Sequence, residues 1–270
     1  MSFQTQTGIT QWQLLQLAVS FLTRIPIALR FEVTGEHLNQ ASRYFALVGL
    51  GLGVVMALTF YCLQLILPNS ISVLLIMALS LLMTGAFHED GWADVWDGFG
   101  GGWQVSQKLN IMKDSRLGTY GAAALIIMIL LKYQSLLILA DEMNLLVFAI
   151  VAGQCLSRVV ATSIILSMDY VSEDATAKVK PLAMHLSTTS FIILLLTGAL
   201  LCAFAVFLQL LNWQGLLLII VSLLLVRFTM IAWFKHQLGG YTGDCLGAAQ
   251  QLSELSIYIV LVAVMTSTAL

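Results

Sequence analysis

Long apolar runs separated by polar connectors dominate this chain. An α-helix needs about 20 apolar residues to cross a bilayer core, and seven runs approach or exceed that length. We predict spanning helices at about residues 44–67, 71–87, 120–140, 145–167, 190–211, 215–234 and 255–269. A shorter run from Leu14 to Leu22 ends near Pro26 and predicts an interfacial or re-entrant helix, with a tilted span as the alternative. The pattern thus indicates an all-α integral membrane protein with one polytopic domain, residues 1–270.

The connectors fall into two groups by charge. Three short ones, at 68–70, 141–144 and 212–214, contain no Lys or Arg. The longer ones, at about 24–43, 88–119, 171–189 and 235–254, contain Arg24, Arg30, Arg43, Lys108, Lys113, Arg116, Lys178, Lys180 and Lys235. Because Lys and Arg are enriched on the cytoplasmic side of membrane proteins, we predict that the long connectors face the cytoplasm from the cell inner membrane. Active-site loops are expected at about 88–119 and 235–254.

Composition supports a membrane protein and excludes one class of partner. Hydrophobic residues make up 59% of the chain, charged residues 10%, and the mean hydropathy is +0.93. Such a chain has too few polar residues to cover a water-soluble globule, so membrane lipid is its expected surrounding. The net charge of −2 offers no basic excess for nucleic acid. The four cysteines are scattered and predict neither a disulfide framework nor a zinc site. The sequence is also compatible with a homo-oligomer.

Three aspartates interrupt the apolar pattern directly after the second predicted span. Asp90, Asp94 and Asp97 follow one another at i, i+4 and i+7, so an α-helix would place them on one stripe. Like charges at this spacing repel, and Asp is a poor helix former, so the arrangement costs stability unless a cation lies between them. A Mg²⁺ or Mn²⁺ ion that also binds substrate phosphates fits this need. The alternative is a solvated acidic cap on a membrane helix.

A second group of polar residues lies on the same connector. Residues 113–121 combine Lys113, Asp114 and Arg116 with two glycines and run into a predicted span. Backbone amides at a helix start form an anion cradle, and the basic side chains would add charge to it. The alternative is that these basic residues only anchor the topology.

A third group, residues 239–248, precedes the last predicted span. It places Thr242 and Asp244 among four glycines, which allow the backbone to approach a ligand closely. A plain glycine-rich turn is the alternative. A carboxylate-held metal, basic groups and two glycine-bearing loops at one membrane face suit displacement at a phosphoryl group. A P-loop motif is absent from the sequence, which excludes that class of ATPase.

Three basic residues, Lys132, Arg158 and Arg227, lie inside apolar runs. Charges in hydrocarbon are costly, so these side chains should face the bundle interior, a cavity or the headgroup region. A transport pathway, a cleft for an anionic substrate, and structural pairing or snorkelling are the three interpretations.

The chain resembles the cobalamin synthase, or adenosylcobinamide-GDP ribazoletransferase, family over nearly its whole length. Five blocks carry the resemblance in order: Phe21-Leu22-Thr23-Arg24-Ile25-Pro26, Arg43-Tyr44-Phe45, His88-x-Asp90-Gly91-x-x-Asp94-x-x-Asp97-Gly98, Lys113-Asp114-Ser115-Arg116-x-Gly118-Thr119-Tyr120-Gly121 and Gly240-x-Thr242-Gly243-Asp244-x-Leu246-Gly247-Ala248. The segment from Gly100 to Gln107 departs from the family pattern because it is richer in glycine and neutral polar residues.

The resemblance implies a Mg²⁺-dependent phosphotransferase that completes the nucleotide loop of cobalamin. Its substrates would be adenosylcobinamide-GDP and α-ribazole, or α-ribazole 5′-phosphate, and GMP would be released. We expect Asp90, Asp94 and Asp97 to hold the metal, and His88 or one aspartate to accept the proton of the attacking ribose hydroxyl. The alternative for His88 is a structural histidine at the membrane boundary, since it lies off the Asp90 stripe of a regular helix. Lys113 and Arg116 are expected to bind phosphate oxygens, and the further substrate-binding candidates are Asp114, Thr242, Asp244 and Arg24. Asp244 is also a candidate metal ligand.

Three other functions fit parts of the pattern. A CDP-alcohol-type phosphotransferase of lipid synthesis would have an arginine soon after Asp90-Gly91, where this chain has Trp92-Ala93-Asp94. A prenyltransferase would have two aspartate-rich loops, and only one is present in the sequence. A membrane transporter would explain the basic residues inside the apolar runs, and it predicts substrate flux without chemical conversion.

Overall fold

The computed structural model describes residues 9–171 and 183–268, and this part of the chain is helical without a named strand. The predicted all-α fold is confirmed. The helices are α1 (Gln11–Leu22), α2 (Gly35–Ala41), α3 (Phe45–Leu63), α4 (Asn69–Thr84), α5 (Phe87–Gly101), α6 (Val105–Lys113), α7 (Thr119–Leu139), α8 (Met143–Ser163), α9 (Thr188–Phe207), α10 (Trp213–Leu238) and α11 (Gly243–Thr268). The predicted connector residues Lys178 and Lys180 lie outside the described residues.

Six segments are long and apolar enough to cross a membrane, so the chain is a multi-pass membrane protein. They are Gly35–Leu63, Thr119–Leu139, Met143–Leu166, Thr188–Phe207, Trp213–Leu238 and Gly243–Ser267. The predicted span at 71–87 corresponds to α4, which has 16 residues and passes the length test only together with α5, to which it is bent; counting that pair as one span gives seven. The first helix, α1, has only 12 residues and is not among the spans, as expected for an interfacial or re-entrant helix.

The angle between α4 and α5 is 87°, and it is set by two residues with positive φ. Gly85 has φ 69° and Ala86 has φ 55°, a left-handed conformation that suits glycine better than alanine. The backbone N–H of Arg24 donates to the carbonyl of Met83 at 2.7 Å, and its guanidinium packs against Gly85. Because α5 also carries four acidic side chains, we treat it as lying outside the spanning segments, across one end of the bundle.

The central helix of the bundle is α8, whose spanning window is 83% buried. It packs closely against α3 because Gly53 and Gly49 have no side chain: a Cβ at Gly53 would lie 2.7 Å from the Cα of Val151. Small residues four apart allow this approach of helices in membranes. On its other side α8 packs against α11, where Gly153 faces the ring of Tyr258.

The last span begins earlier than its hydropathy predicts. We placed its start near Leu255, with a loop over 235–254, but α10 continues to Leu238 and α11 begins at Gly243. The polar residues that suggested a loop are Gln250, Gln251, Ser253 and Glu254, and all four are buried inside the bundle. Their polarity therefore serves contacts between helices rather than exposure to water.

Two of the three basic residues in apolar runs lie in the bundle interior, as expected. Lys132 is 7% exposed, and its Nζ lies 3.0 Å from Oε2 of Glu254 and donates to Oε1 of Gln251 at 2.7 Å. Arg158 is 2% exposed. Arg227 is partly buried and donates to the hydroxyl groups of Ser163 and Ser167 at 2.8 and 2.5 Å.

Candidate active site

The aspartates lie on α5 with increasing burial along the helix. Asp90 is exposed, Asp94 is half-buried and Asp97 is 8% exposed. The first turn of α11 crosses α5 at Gly91, where a Cβ would lie only 2.9 Å from the Cα of Asp244. This close crossing brings Asp244 to the stripe of aspartates on α5, although Asp244 follows Gly91 by 153 positions in the sequence.

The electrostatics of Asp94 show how crowded these carboxylates are. The pKa of Asp94 is raised to about 8, first by burial and then by the negative charges of Asp244, Asp90 and Asp97, in that order of size. Asp244 therefore acts on Asp94 more strongly than either aspartate of the same helix. We define the acidic cluster as Asp90, Asp94 and Asp244. A cation between these side chains would relieve their mutual repulsion.

Asp97 instead holds two helices together. Its Oδ2 accepts from the backbone N–H of Gly118 at 2.7 Å, and its Oδ1 accepts from the N–H of Gly121 at 2.8 Å. These amides belong to the free N-terminal end of α7, where a negative charge is favourable. The anion cradle predicted at residues 113–121 is therefore occupied by a carboxylate of the protein itself.

We expect Gly121→Ala to destabilise this joint. A Cβ at position 121 would overlap the Asp97 carboxylate and would lie 2.8 Å from the carbonyl oxygen of Ala93, which is backbone and cannot rotate away. Overpacking of this kind costs about 1–3 kcal/mol of unfolding free energy. Thermal unfolding in detergent would measure the loss. Gly51→Ala is the matched control because nothing lies within 4 Å of its Cβ, so it should be neutral or slightly stabilising.

The predicted phosphate-binding residues of the second group lie on an exposed turn. The Arg116 side chain is 87% exposed and pairs with Asp114, whose pKa is lowered to about 2 by hydrogen bonds from Arg116. Lys113 ends α6 and is also exposed. Both basic side chains are accessible from solvent and lie on the same predicted connector as Asp90 and Asp94.

Thr242 and Arg24 contact the protein backbone near the site. The Thr242 hydroxyl accepts from the backbone N–H of Cys245 at 3.3 Å, so it caps α11 and positions Asp244 in the first turn. Gly240, before it, allows a close approach to protein rather than to a ligand, because a Cβ there would overlap the carbonyl of Asp169. Arg24 is exposed and packs at the bend between α4 and α5.

His88 faces away from the acidic cluster. It is 6% exposed and lines a cleft together with Arg158 and the glycines of the first turns of α11, Gly243 and Gly247. Burial, followed by the positive charges of Arg158 and Lys132, lowers the pKa of His88 well below its usual value. The ring is therefore neutral at physiological pH, which is the form that can accept a proton.

The acidic cluster fits a divalent cation by the chemistry of its donors. Carboxylate oxygens are the usual protein ligands of Mg²⁺, which keeps several waters and also takes substrate phosphates. Within residues 9–171 and 183–268, no three His, Cys, Asp or Glu side chains already converge closely enough to form a metal centre. Asp90, Asp94 and Asp244 would therefore draw together around the ion, and the exposure of Asp90 leaves room for this movement.

Comparison with known proteins gives a consistent result over nearly the full chain. Residues 14–262 match a family model described as cobalamin-5-phosphate synthase. A protein of Shewanella frigidimarina (strain NCIMB 400), named adenosylcobinamide-GDP ribazoletransferase, is 49% identical over 257 residues, covering 95% of this chain and 96% of that protein. Proteins of the same name from Shewanella piezotolerans and Vibrio parahaemolyticus are 48% and 46% identical, covering 96% and 94% of this chain and 98% and 93% of theirs. No solved structure matches the chain.

Proposed function

This chain belongs to the cobalamin-5-phosphate synthase family, and from that premise we propose that it is an adenosylcobinamide-GDP ribazoletransferase. It joins adenosylcobinamide-GDP to α-ribazole or α-ribazole 5′-phosphate, which assembles the nucleotide loop of cobalamin. The observation that carries the proposal is the acidic cluster, which combines residues of two distant motifs at one end of a membrane bundle.

In the proposed reaction a ribose hydroxyl of the acceptor attacks the phosphorus next to cobinamide. A new P–O bond forms, the bond between that phosphorus and the oxygen of the GMP phosphate breaks, and GMP leaves. The proton of the hydroxyl goes to His88 or to a carboxylate of the acidic cluster. A bound Mg²⁺ ion would supply neutralisation of charge on the diphosphate oxygens. The acidic cluster would hold that ion, while Lys113 and Arg116, on the exposed turn, would bind phosphate oxygens.

We further propose that the protein is in the cell inner membrane with the acidic cluster facing the cytoplasm. Arg24 lies in a long connector, Arg43 lies just before α3, and Lys235 is in the last turn of α10, whereas the short connectors contain no Lys or Arg. This asymmetry supports a cytoplasmic position for the long connectors, since basic residues stay on that side.

An assay of the purified protein in detergent tests the function directly. With adenosylcobinamide-GDP, α-ribazole 5′-phosphate and Mg²⁺, we expect GMP to appear in equal amount to the corrinoid product, and chelation of the metal should stop its release. Chromatography of the nucleotides measures both. A transporter needs a sealed membrane and makes no new compound, so absence of GMP together with flux in proteoliposomes would contradict the proposal.

A further inference from the structure

The guanidinium of Arg158 has no role in the reaction as described so far. Its Nη1 donates to the backbone carbonyl and the Oε1 of Gln154, at 2.6 and 3.0 Å. Its Nε and Nη2 are buried and have no hydrogen-bond partner among the described residues. Burying a charge without partners is costly, so a bound anion would complete this site.

Glu254 and Glu89 are close enough to attract the charge of Arg158, but neither accepts a hydrogen bond from its Nε or Nη2. Glu254 accepts from Lys132, Gln154, Gln250 and Tyr258, and within the described ranges no carboxylate lies in ion-pair distance of the guanidinium. The two other buried basic residues have their donors engaged, Lys132 with Glu254 and Lys108 with Gln237. Among the buried basic residues of the described chain, Arg158 therefore differs from Lys132 and Lys108 in having N–H groups without a hydrogen-bond partner.

Arg158 lines a narrow cleft with about 40 Å³ of free space, part of it open to solvent. The cleft lies between α5, α8 and α11, and Gly243 and Gly247 give it a wall of backbone. The first N–H groups of a helix are free donors and carry partial positive charge, so the start of α11 also favours an anion. Phe21, Phe45 and Phe87 also line the cleft.

The cleft adjoins the acidic cluster across one residue of α11. Gly243 lines the cleft and its neighbour Asp244 belongs to the cluster, and consecutive Cα atoms are about 3.8 Å apart. On α5, His88 lines the cleft, and Asp90, two residues later, belongs to the cluster. The cleft and the cluster therefore lie beside the same close contact between α5 and α11, at which Gly247 packs on His88 and Gly91 on Asp244.

We propose that Arg158 binds the phosphate of a phosphorylated acceptor, a nucleoside 5′-monophosphate with an apolar base. This inference rests on the proposed function and identifies where its second substrate lies. The free donors of the guanidinium and the narrow cleft fit a phosphate group, and the rest of the acceptor would lie outside the cleft. The donor diphosphate lies at the cluster and does not need this arginine.

The test compares two acceptors in Arg158→Gln. With α-ribazole 5′-phosphate we expect KM to rise by about 10- to 100-fold, because a hydrogen-bonded charge pair is lost. With unphosphorylated α-ribazole, and for adenosylcobinamide-GDP, KM should stay within about twofold of wild type. Arg158→Lys keeps the charge and should recover part of the selectivity. Arg227→Gln is the matched control, since Arg227 donates to Ser163 and Ser167 and does not itself line the cleft, and it should change none of the three KM values.

Three outcomes would overturn the inference. Equal rises of KM for both acceptors would assign Arg158 to structure alone, and unchanged values for both would exclude it from binding. Wild-type protein that releases no GMP with either acceptor would instead contradict the proposed function itself. Should Arg158→Gln not fold, inorganic phosphate decides with wild type: it should inhibit turnover of the phosphorylated acceptor more strongly than that of α-ribazole. Equal inhibition, or preferential binding of anionic lipid in nanodiscs, would contradict the assignment.

Discussion

Asp94→Asn should reduce GMP release by about 100- to 1000-fold, the usual effect of removing one group that stabilises charge in a transition state. The negative charges of Asp244, Asp90 and Asp97 all raise the pKa of Asp94, which places Asp94 among these carboxylates. An asparagine at this position lacks the negative charge that is needed to hold a cation. Turnover measured over a Mg²⁺ titration should also show a higher metal requirement.

The same substitution should leave the fold intact. The charge of Asp94 is opposed by Asp244, Asp90 and Asp97, so in the absence of metal the uncharged amide should be as stable as wild type or more so. Asp141→Asn is the control, because Asp141 is exposed in a short connector at the other end of the bundle and should keep full activity. Unchanged turnover of Asp94→Asn, with normal metal dependence, would remove the acidic cluster from the mechanism.

Lys132→Met should cost about 3–5 kcal/mol of unfolding free energy, because it leaves the buried Glu254 carboxylate without its cation. Glu254 would keep hydrogen bonds from Gln154, Gln250 and Tyr258, but these donors are neutral. Unfolding in mixed detergent micelles, followed by circular dichroism, would measure the loss.

The double variant Lys132→Met with Glu254→Gln should recover much of that stability, since it removes both charges together. Lys235→Met is the matched control: this lysine is exposed at the end of α10, and its loss should change stability by no more than about 0.5 kcal/mol. If the double variant lost as much as the two single variants combined, the pair would not be coupled.

The sequence predicted the spans and the aspartate stripe well, because both depend on local periodicity. The α5 helix follows directly from the spacing of Asp90, Asp94 and Asp97, and the six clear spans follow from apolar length. Periodicity within one segment cannot reveal which distant segment packs on it. The approach of Asp244 depends on Gly91, a residue whose importance appears only when α11 crosses α5.

Two predictions were made from the polarity of a segment, and neither identified the partners of its polar groups. The run from Gln250 to Glu254 is polar because its side chains bind one another and Lys132 within the bundle, so hydropathy placed the start of the last span too late. Residues 113–121 have the amides of an anion site, but sequence alone could not show that Asp97 supplies the anion. In both cases a polar group has its partner inside the protein.

The bond between Asp97 and the start of α7 also determines when the order of the site is established. Since this carboxylate and its two amides meet during folding, α5 is already fixed against α7 before either substrate arrives. The entropy of aligning the two helices is thus lost once per folding event and not once per turnover, which is the advantage of a preorganised catalyst.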